Sequence, residues 1–310
     1  YVTTNNTSGV SSDFYIFDIE NPSSPTALSA TNVNTLTAGV RGVAVSKKSS
    51  HTYAYLANGV GSHWNTCSES ARCAQLLVLD ATNPSAPVVA KSFKIPATTT
   101  PFVLGSGGQG TGNVVTHAGG YVYLGLTKTG SGPEFNIIDV GGGGAPASPL
   151  NPIYTGGYAV GRGVSSIFIK NGYAYVATSD NARELMVLDV RVKTNPTLVG
   201  IFDAPGATGF GGGNVATAVG NTLYVGRTYV GNAPELFVMD ISNPASLSEL
   251  ASQDIGTVTS PESVNGVLVR DSILFLLTTR FVQLWNILSP GTITLSKSLS
   301  LTADDMTGTA

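Results

Sequence analysis

Charge is what this chain has least of. Asp, Glu, Lys and Arg make up 11% of its residues, where about 25% is usual for a globular protein. The net charge is −3, and the clustered Lys and Arg that a nucleic-acid surface needs are missing. Helix formers such as Glu, Lys and Met are scarce, with three Met in all. No apolar run approaches the roughly 18 residues of a membrane span. No signal peptide is visible, and the opening YVTT reads as the middle of a strand, so a mature or trimmed form is expected. Histidine is limited to His51, His63 and His117. They show no metal-ligand spacing, and neither GxSxG nor another nucleophile motif occurs. No catalytic residue, metal or cofactor is therefore assigned. Adjacent Asp304 and Asp305 read as solvated acids of a terminal segment.

Gly is plentiful, with 37 residues, alongside Ser, Thr, Val and Tyr. That mixture favours short strands joined by tight turns. One phrase recurs: FYIFDIENP at 14–22, LLVLDATNPSAP at 76–87, LMVLDVRVKTNP at 185–196 and LFVMDISNP at 236–244. A looser copy, FNIIDVGGGGAPASP at 135–149, carries a glycine insertion. The marker acids are Asp18, Asp80, Asp139, Asp189 and Asp240, with Asn286 in VQLWNILSP as the sixth, spaced 46–62 residues apart. An aromatic stretch precedes most copies, as in TYAYLANG at 52–59 and GYAYVATS at 172–179. Ahead of it lies a third stretch, as in GNVVTHA at 112–118, and after the phrase comes a fourth, as in TLVGIFDAP at 197–205. Each unit thus holds four strands, A to D. The acid ends strand C and accepts turn amides, while Pro, which has no amide donor, stands just outside strand D.

Four-stranded units that are apolar on both faces must stack on copies of themselves. The expected fold is all-β, a single β-propeller domain over residues 1–310 with about six four-stranded blades. Seven blades fit if the native chain continues. The first copy lacks strand A, so the C-terminal segment is expected to join the N-terminal blade and close the ring.

The strand C phrase resembles the LVIVD repeat, and YVTT and YVATS resemble the YVTN class of propeller repeats. The resemblance covers nearly the whole chain. It implies a propeller in a secreted or cell-surface protein, and it brings no catalytic motif.

Asn113, Ser165, Asn214 and Asn265 each lie ten residues before the second aromatic, or its equivalent, of strand B; alignment of strand A adds Arg41. In a propeller they fall at one mouth of the central channel. There they either bind a small ligand or cap backbone groups at strand starts, and capping is the expectation. The glycine-rich GSGGQGTGN at 105–113 and GFGGGN at 209–214 lead into strands rather than helices. They read as connections, not phosphate cradles. Cys67 and Cys73 share a polar loop and are expected to form a local disulfide, which places the chain in an oxidising compartment. Asn5 and Asn6 begin sequons. Trp64, in the cysteine loop, is a candidate contact for a glycan or partner.

The function expected is a non-enzymatic extracellular module: an adhesion domain, or the globular subunit of a surface filament, pilus or surface layer. Its partners are a protein or glycan at the cell surface, including self-assembly into a polymer. Nucleic acid and a membrane span are excluded. The alternative is a propeller enzyme, such as a glycan-acting lyase or hydrolase or a lactonase, working at the channel mouth.

Overall fold

The repeated phrases become strands, and among the described residues every regular element is a strand. The computed structural model describes residues 1–4, 12–33, 39–59, 74–96, 110–128, 130, 132–206 and 211–301. The first sheet joins β1 (Val2–Thr3), β2 (Phe14–Asp18) and β3 (Thr26–Thr31). The second joins β4 (Val40–Lys48), β5 (His51–Asn58), β6 (Leu76–Asp80) and β7 (Val88–Phe93). The third joins β8 (Gly112–Ala118), β9 (Tyr121–Leu126), β10 (Phe135–Asp139) and β11 (Ile153–Tyr158). The fourth joins β12 (Val164–Lys170), β13 (Tyr173–Thr178), β14 (Leu185–Asp189) and β15 (Thr197–Phe202). The fifth joins β16 (Gly213–Val219), β17 (Thr222–Arg227), β18 (Leu236–Asp240) and β19 (Ser248–Gln253). The sixth joins β20 (Val264–Arg270), β21 (Ile273–Thr278), β22 (Phe281–Asn286) and β23 (Thr294–Ser300).

These antiparallel sheets are the blades of a six-bladed β-propeller, the architecture expected from the repeat. The first sheet opens in strand B, as the sequence implies. The segment expected to complete it, beyond Leu301, lies outside the described residues, as do Asn5, Asn6, His63, Trp64, Cys67, Cys73, Asp304, Asp305 and 105–109 of the glycine-rich stretch. Among the described residues no helix is long and apolar enough to cross a membrane.

Two compact units make up the structure. Residues 1–164 and 192–196 form the first, which holds the first three sheets. Within it, successive side chains of one strand serve two different cores, as the period of two demands. Tyr53, Tyr55, Leu76 and Val78 of the second sheet pack with Val122, Leu124 and Ile138 of the third. Their immediate neighbours Ala54, Leu56, Leu77 and Leu79 turn the other way and pack with Phe14 and Ile16 of the first. Residues 165–191 and 197–310 form the second unit. There Tyr175, Leu185 and Val187 meet Leu223, Val225, Phe237 and Met239. On the opposite face of the fifth sheet, Tyr224, Leu236 and Val238 meet Leu274, Leu276 and Trp285. Each such side chain contributes about 1.5–3 kcal/mol through burial.

The turns follow the residues that fill them. Asp18, Asp80, Asp189 and Asp240 each accept the backbone N–H two residues on, at 2.8–3.0 Å. Asn286 does the same for Leu288 at 3.0 Å. The Asn before Pro adds a second such turn at Asn21, Asn83 and Asn243. The A–B hairpins turn at Gly119–Gly120 and Asn171–Gly172, with φ of 59°, 77°, 50° and 80°. A two-residue hairpin turn of this kind needs positive φ at both positions. Gly213 answers a different need. A Cβ there would strike the backbone carbonyl of Glu184 in the preceding sheet.

Gly213→Ala should therefore cost about 1–3 kcal/mol, as other forced insertions into packed sites do. Gly291→Ala, whose added carbon meets nothing closer than 3.8 Å, should stay within about 0.5 kcal/mol of wild type. Urea unfolding of the two variants checks the contrast.

Candidate functional site

The predicted mouth residues share one backbone feature. Arg41, Asn113, Asn214 and Asn265 each sit where strand A slips register against strand B, between Val40/Gly42, Gly112/Val114, Gly213/Val215 and Val264/Gly266. Such a bulge leaves one residue unpaired and re-aims its side chain. In the first unit the Arg41 guanidinium donates to Asn113 Oδ1 at 3.3 Å, and Asn113 Nδ2 donates to the Val164 carbonyl at 2.7 Å. In the second unit Asn214 Nδ2 donates to the Val264 carbonyl at 2.9 Å and to Asn265 Oδ1 at 3.0 Å. Ser165 is half-buried. The amides thus tie the start of one strand A to the start of the next.

A second polar series was not singled out from the sequence. The residue just before strand C is Asp13, Gln75, Glu134, Glu184 or Glu235, and all five are buried. Each accepts a backbone N–H from the chain leaving strand D: Val33, Ile95, Gly161, Ala204 and Ile255, at 2.7–3.1 Å. The available signal was a polar residue five positions ahead of every marker Asp. Glu184 also faces the fully buried Arg227 at 3.4 Å. Arg227 donates to the carbonyls of Pro234 at 2.7 Å and Pro205 at 2.9 Å. Burial pushes the carboxyls of Glu184 and Glu235 above the usual carboxylate range. It pushes the Arg227 guanidinium down, despite the attraction of Glu184. Both partners shift toward neutrality, so loss of water outweighs their pairing. With its polar atoms engaged, this cluster is a strut of the second unit.

One pocket combines open space with unengaged polar groups. It lies in the first unit and measures about 170 Å³. Ser46, Lys48, Tyr55, His117, Gly141 and Pro149 line it. The His117 ring lies flat against Tyr55, 5.4 Å between centroids and 8° between planes. The buried Tyr55 hydroxyl bonds Ser46 Oγ at 3.1 Å. Burial lowers the His117 pKa below the imidazole value and raises that of the Tyr55 phenol. The sequence held a sign of this pocket. Register-matched positions on other A strands carry Val45, Ala218 and Val269, and His117 faces Val122 in their place.

Comparison with known proteins agrees with the fold. The LVIVD repeat model matches residues 9–35, 161–204 and 220–254, so the chain carries LVIVD repeats. No curated protein matches it. Among solved structures, the periplasmic gluconolactonase PpgL of Pseudomonas aeruginosa superposes with a TM-score of 0.61 at 11% identity, covering 97% of this chain and 96% of that one. A chain of a Nidogen/Laminin complex gives 0.51 at 8% identity, covering 90% and 84%. The computationally designed Ika8 protein gives 0.51 at 11% identity over 88% of this chain, which spans 64% of that protein's length. At these identities the likeness is one of fold.

The strut predicts two outcomes. Arg227→Ala leaves Glu184 buried without its cation and should cost about 3–5 kcal/mol in urea unfolding. A carboxyl whose folded pKa lies above its unfolded value binds more protons when folded, so its stabilising effect grows as pH falls into the window between the two. As pH falls from neutrality toward the unfolded Glu value of about 4.3, wild type should therefore gain stability relative to Glu184→Gln. Parallel pH profiles of the two proteins would contradict this.

Proposed function

We propose that the chain is a non-enzymatic extracellular module that acts by contact, as an adhesion domain or as the globular subunit of a surface filament, pilus or layer. The outermost strands carry this reading. An edge strand presents unpaired backbone groups and is a template for another chain. Here these edges also expose aliphatic side chains: Leu28, Val88, Val89, Ile153, Ile201, Leu250, Leu295 and Leu299. Strands β3, β11 and β15 hold no charged residue at all. A bulge at the same place in each C–D pairing blunts the edges, as between Val78/Leu79 and Val187/Leu188. Lys91 of β7 and Lys297 of β23 add charge to two of them. The low overall charge suits a surface meant to be covered by a protein, a glycan or further copies of itself. A chain of a Nidogen/Laminin complex has a similar fold, which fits a role in contact.

The catalytic alternative draws on the likeness to the gluconolactonase. It has less support, because Arg41, Asn113 and Asn214 are engaged in bonds that join neighbouring strands.

The test is association. Analytical ultracentrifugation and electron microscopy should show concentration-dependent oligomers or ordered polymers between about 1 µM and 1 mM, a range that spans weak to moderate affinities. Ile201→Lys with Leu295→Lys should reduce association while leaving the melting temperature nearly unchanged. A strict monomer across that range, with the variant indistinguishable, would count against self-assembly.

A further inference from the structure

Three departures from the repeat meet in one place. The A–B hairpin of the second sheet is longer than the others: β4 spans nine residues and β5 eight, against seven and six in the third sheet. It brings Ser46, Lys47 and Lys48 over the third sheet. The C–D turn of the third sheet carries the glycine insertion and supplies Val140, Gly141 and Pro149. Between them, His117 replaces the aliphatic residue of the other A strands. A chain that otherwise repeats its solution gives up regular packing at one spot, and a site that breaks local rules is where function is to be sought.

The chemistry of the walls is one-sided. Lys47, Lys48 and His117 line the pocket, and no carboxylate does. Asp139, next in the chain to the lining Val140, is held by the N–H groups of Gly141, Gly142 and Gly143 at 2.7–3.0 Å. Neither the His117 ring nitrogens nor the Lys48 ammonium has a hydrogen-bond or ion-pair partner among the described residues. The Tyr55–Ser46 hydroxyl pair can both donate and accept. The volume, about 170 Å³, falls below the roughly 300–1,000 Å³ of sites for drug-sized ligands.

We propose that this pocket binds a small hydroxylated carboxylate the size of one sugar acid, free or at the end of a glycan. Lys48 and His117 take the carboxylate, the Tyr55–Ser46 pair reads a hydroxyl, and the His117 face packs against the ring. The carboxylate favours the charged imidazole, so binding strengthens as pH falls through the His117 pKa. Lys47, Lys48 and Tyr55 line the pocket beside it, and Asp139 precedes the lining Val140 in the chain.

The test follows the His117 ring by NMR while the whole protein is titrated with sodium D-glucuronate. D-glucose and inorganic phosphate serve as the other arms. Glucuronate should shift the His117 signals saturably below about 20 mM, the weak end of useful affinity, and more tightly at pH 5 than at pH 8. Glucose should not. His117→Val restores the residue type of the repeat and keeps the fold, checked by thermal melting, and in isothermal titration calorimetry of both proteins it should weaken glucuronate binding about tenfold or more. A glucuronide-terminated oligosaccharide that binds more tightly than free glucuronate points to a glycan end as the source; equal binding points to the free acid. Phosphate binding as well as glucuronate would overturn the assignment of a hydroxylated carboxylate. An unmoved His117 signal, or a His117→Val variant that binds like wild type, would overturn the site itself.

Discussion

Strands buried on both faces cannot stand as a single sheet, and the rest of this structure depends on that constraint. In β6, Leu76 and Val78 point one way and Leu77 and Leu79 the other, and all four lack access to water. A lone four-stranded sheet would expose one of these sets. With about 25 cal/mol per Å² of apolar surface at stake, each sheet needs a neighbour on each side. The same logic recurs at Leu185–Leu188 and Leu236–Met239. It explains why the middle strands read as near-continuous apolar runs while the outer strands alternate or turn polar.

Apolar contact alone leaves the sheets free to slide, and the polar ties fix their places. Asn113 and Asn214 join the beginnings of successive A strands. The buried acids and Gln75 ahead of each C strand hold the chain as it leaves strand D. These ties are made to backbone, whose geometry does not change with side-chain identity. That is why Asp, Gln and Glu serve the same position in different blades. The Glu184–Arg227 pair shows the limit of this device. Burial moves both groups toward neutrality, so the pair adds specificity of placement more than net stability.

The blades were legible in the sequence because their markers are local. The Asp of strand C acts on amides two residues away, Pro acts on its own backbone, and the paired Gly or Asn residues of the hairpins act within one turn. The bulges at Arg41, Asn113, Asn214 and Asn265 were half legible. Their alignment placed them together, while the slip in register depends on pairing with strand B. The carboxylate series and the Arg227 strut were harder to read, since Glu184 and Arg227 meet across 43 residues of chain. The pocket at His117 was hidden for the same reason. Its parts come from two sheets, and each looked like a minor irregularity alone: a long hairpin, a run of glycines, a histidine in a strand.

Native-state hydrogen exchange tests the mutual dependence of the sheets most directly. If each sheet owes its stability to its neighbour, the amides of β5, β6, β9 and β10 share one opening free energy and open together, while those of β7 and β11 exchange earlier. Full exposure of β9 and β10 with β5 and β6 still protected would contradict that account.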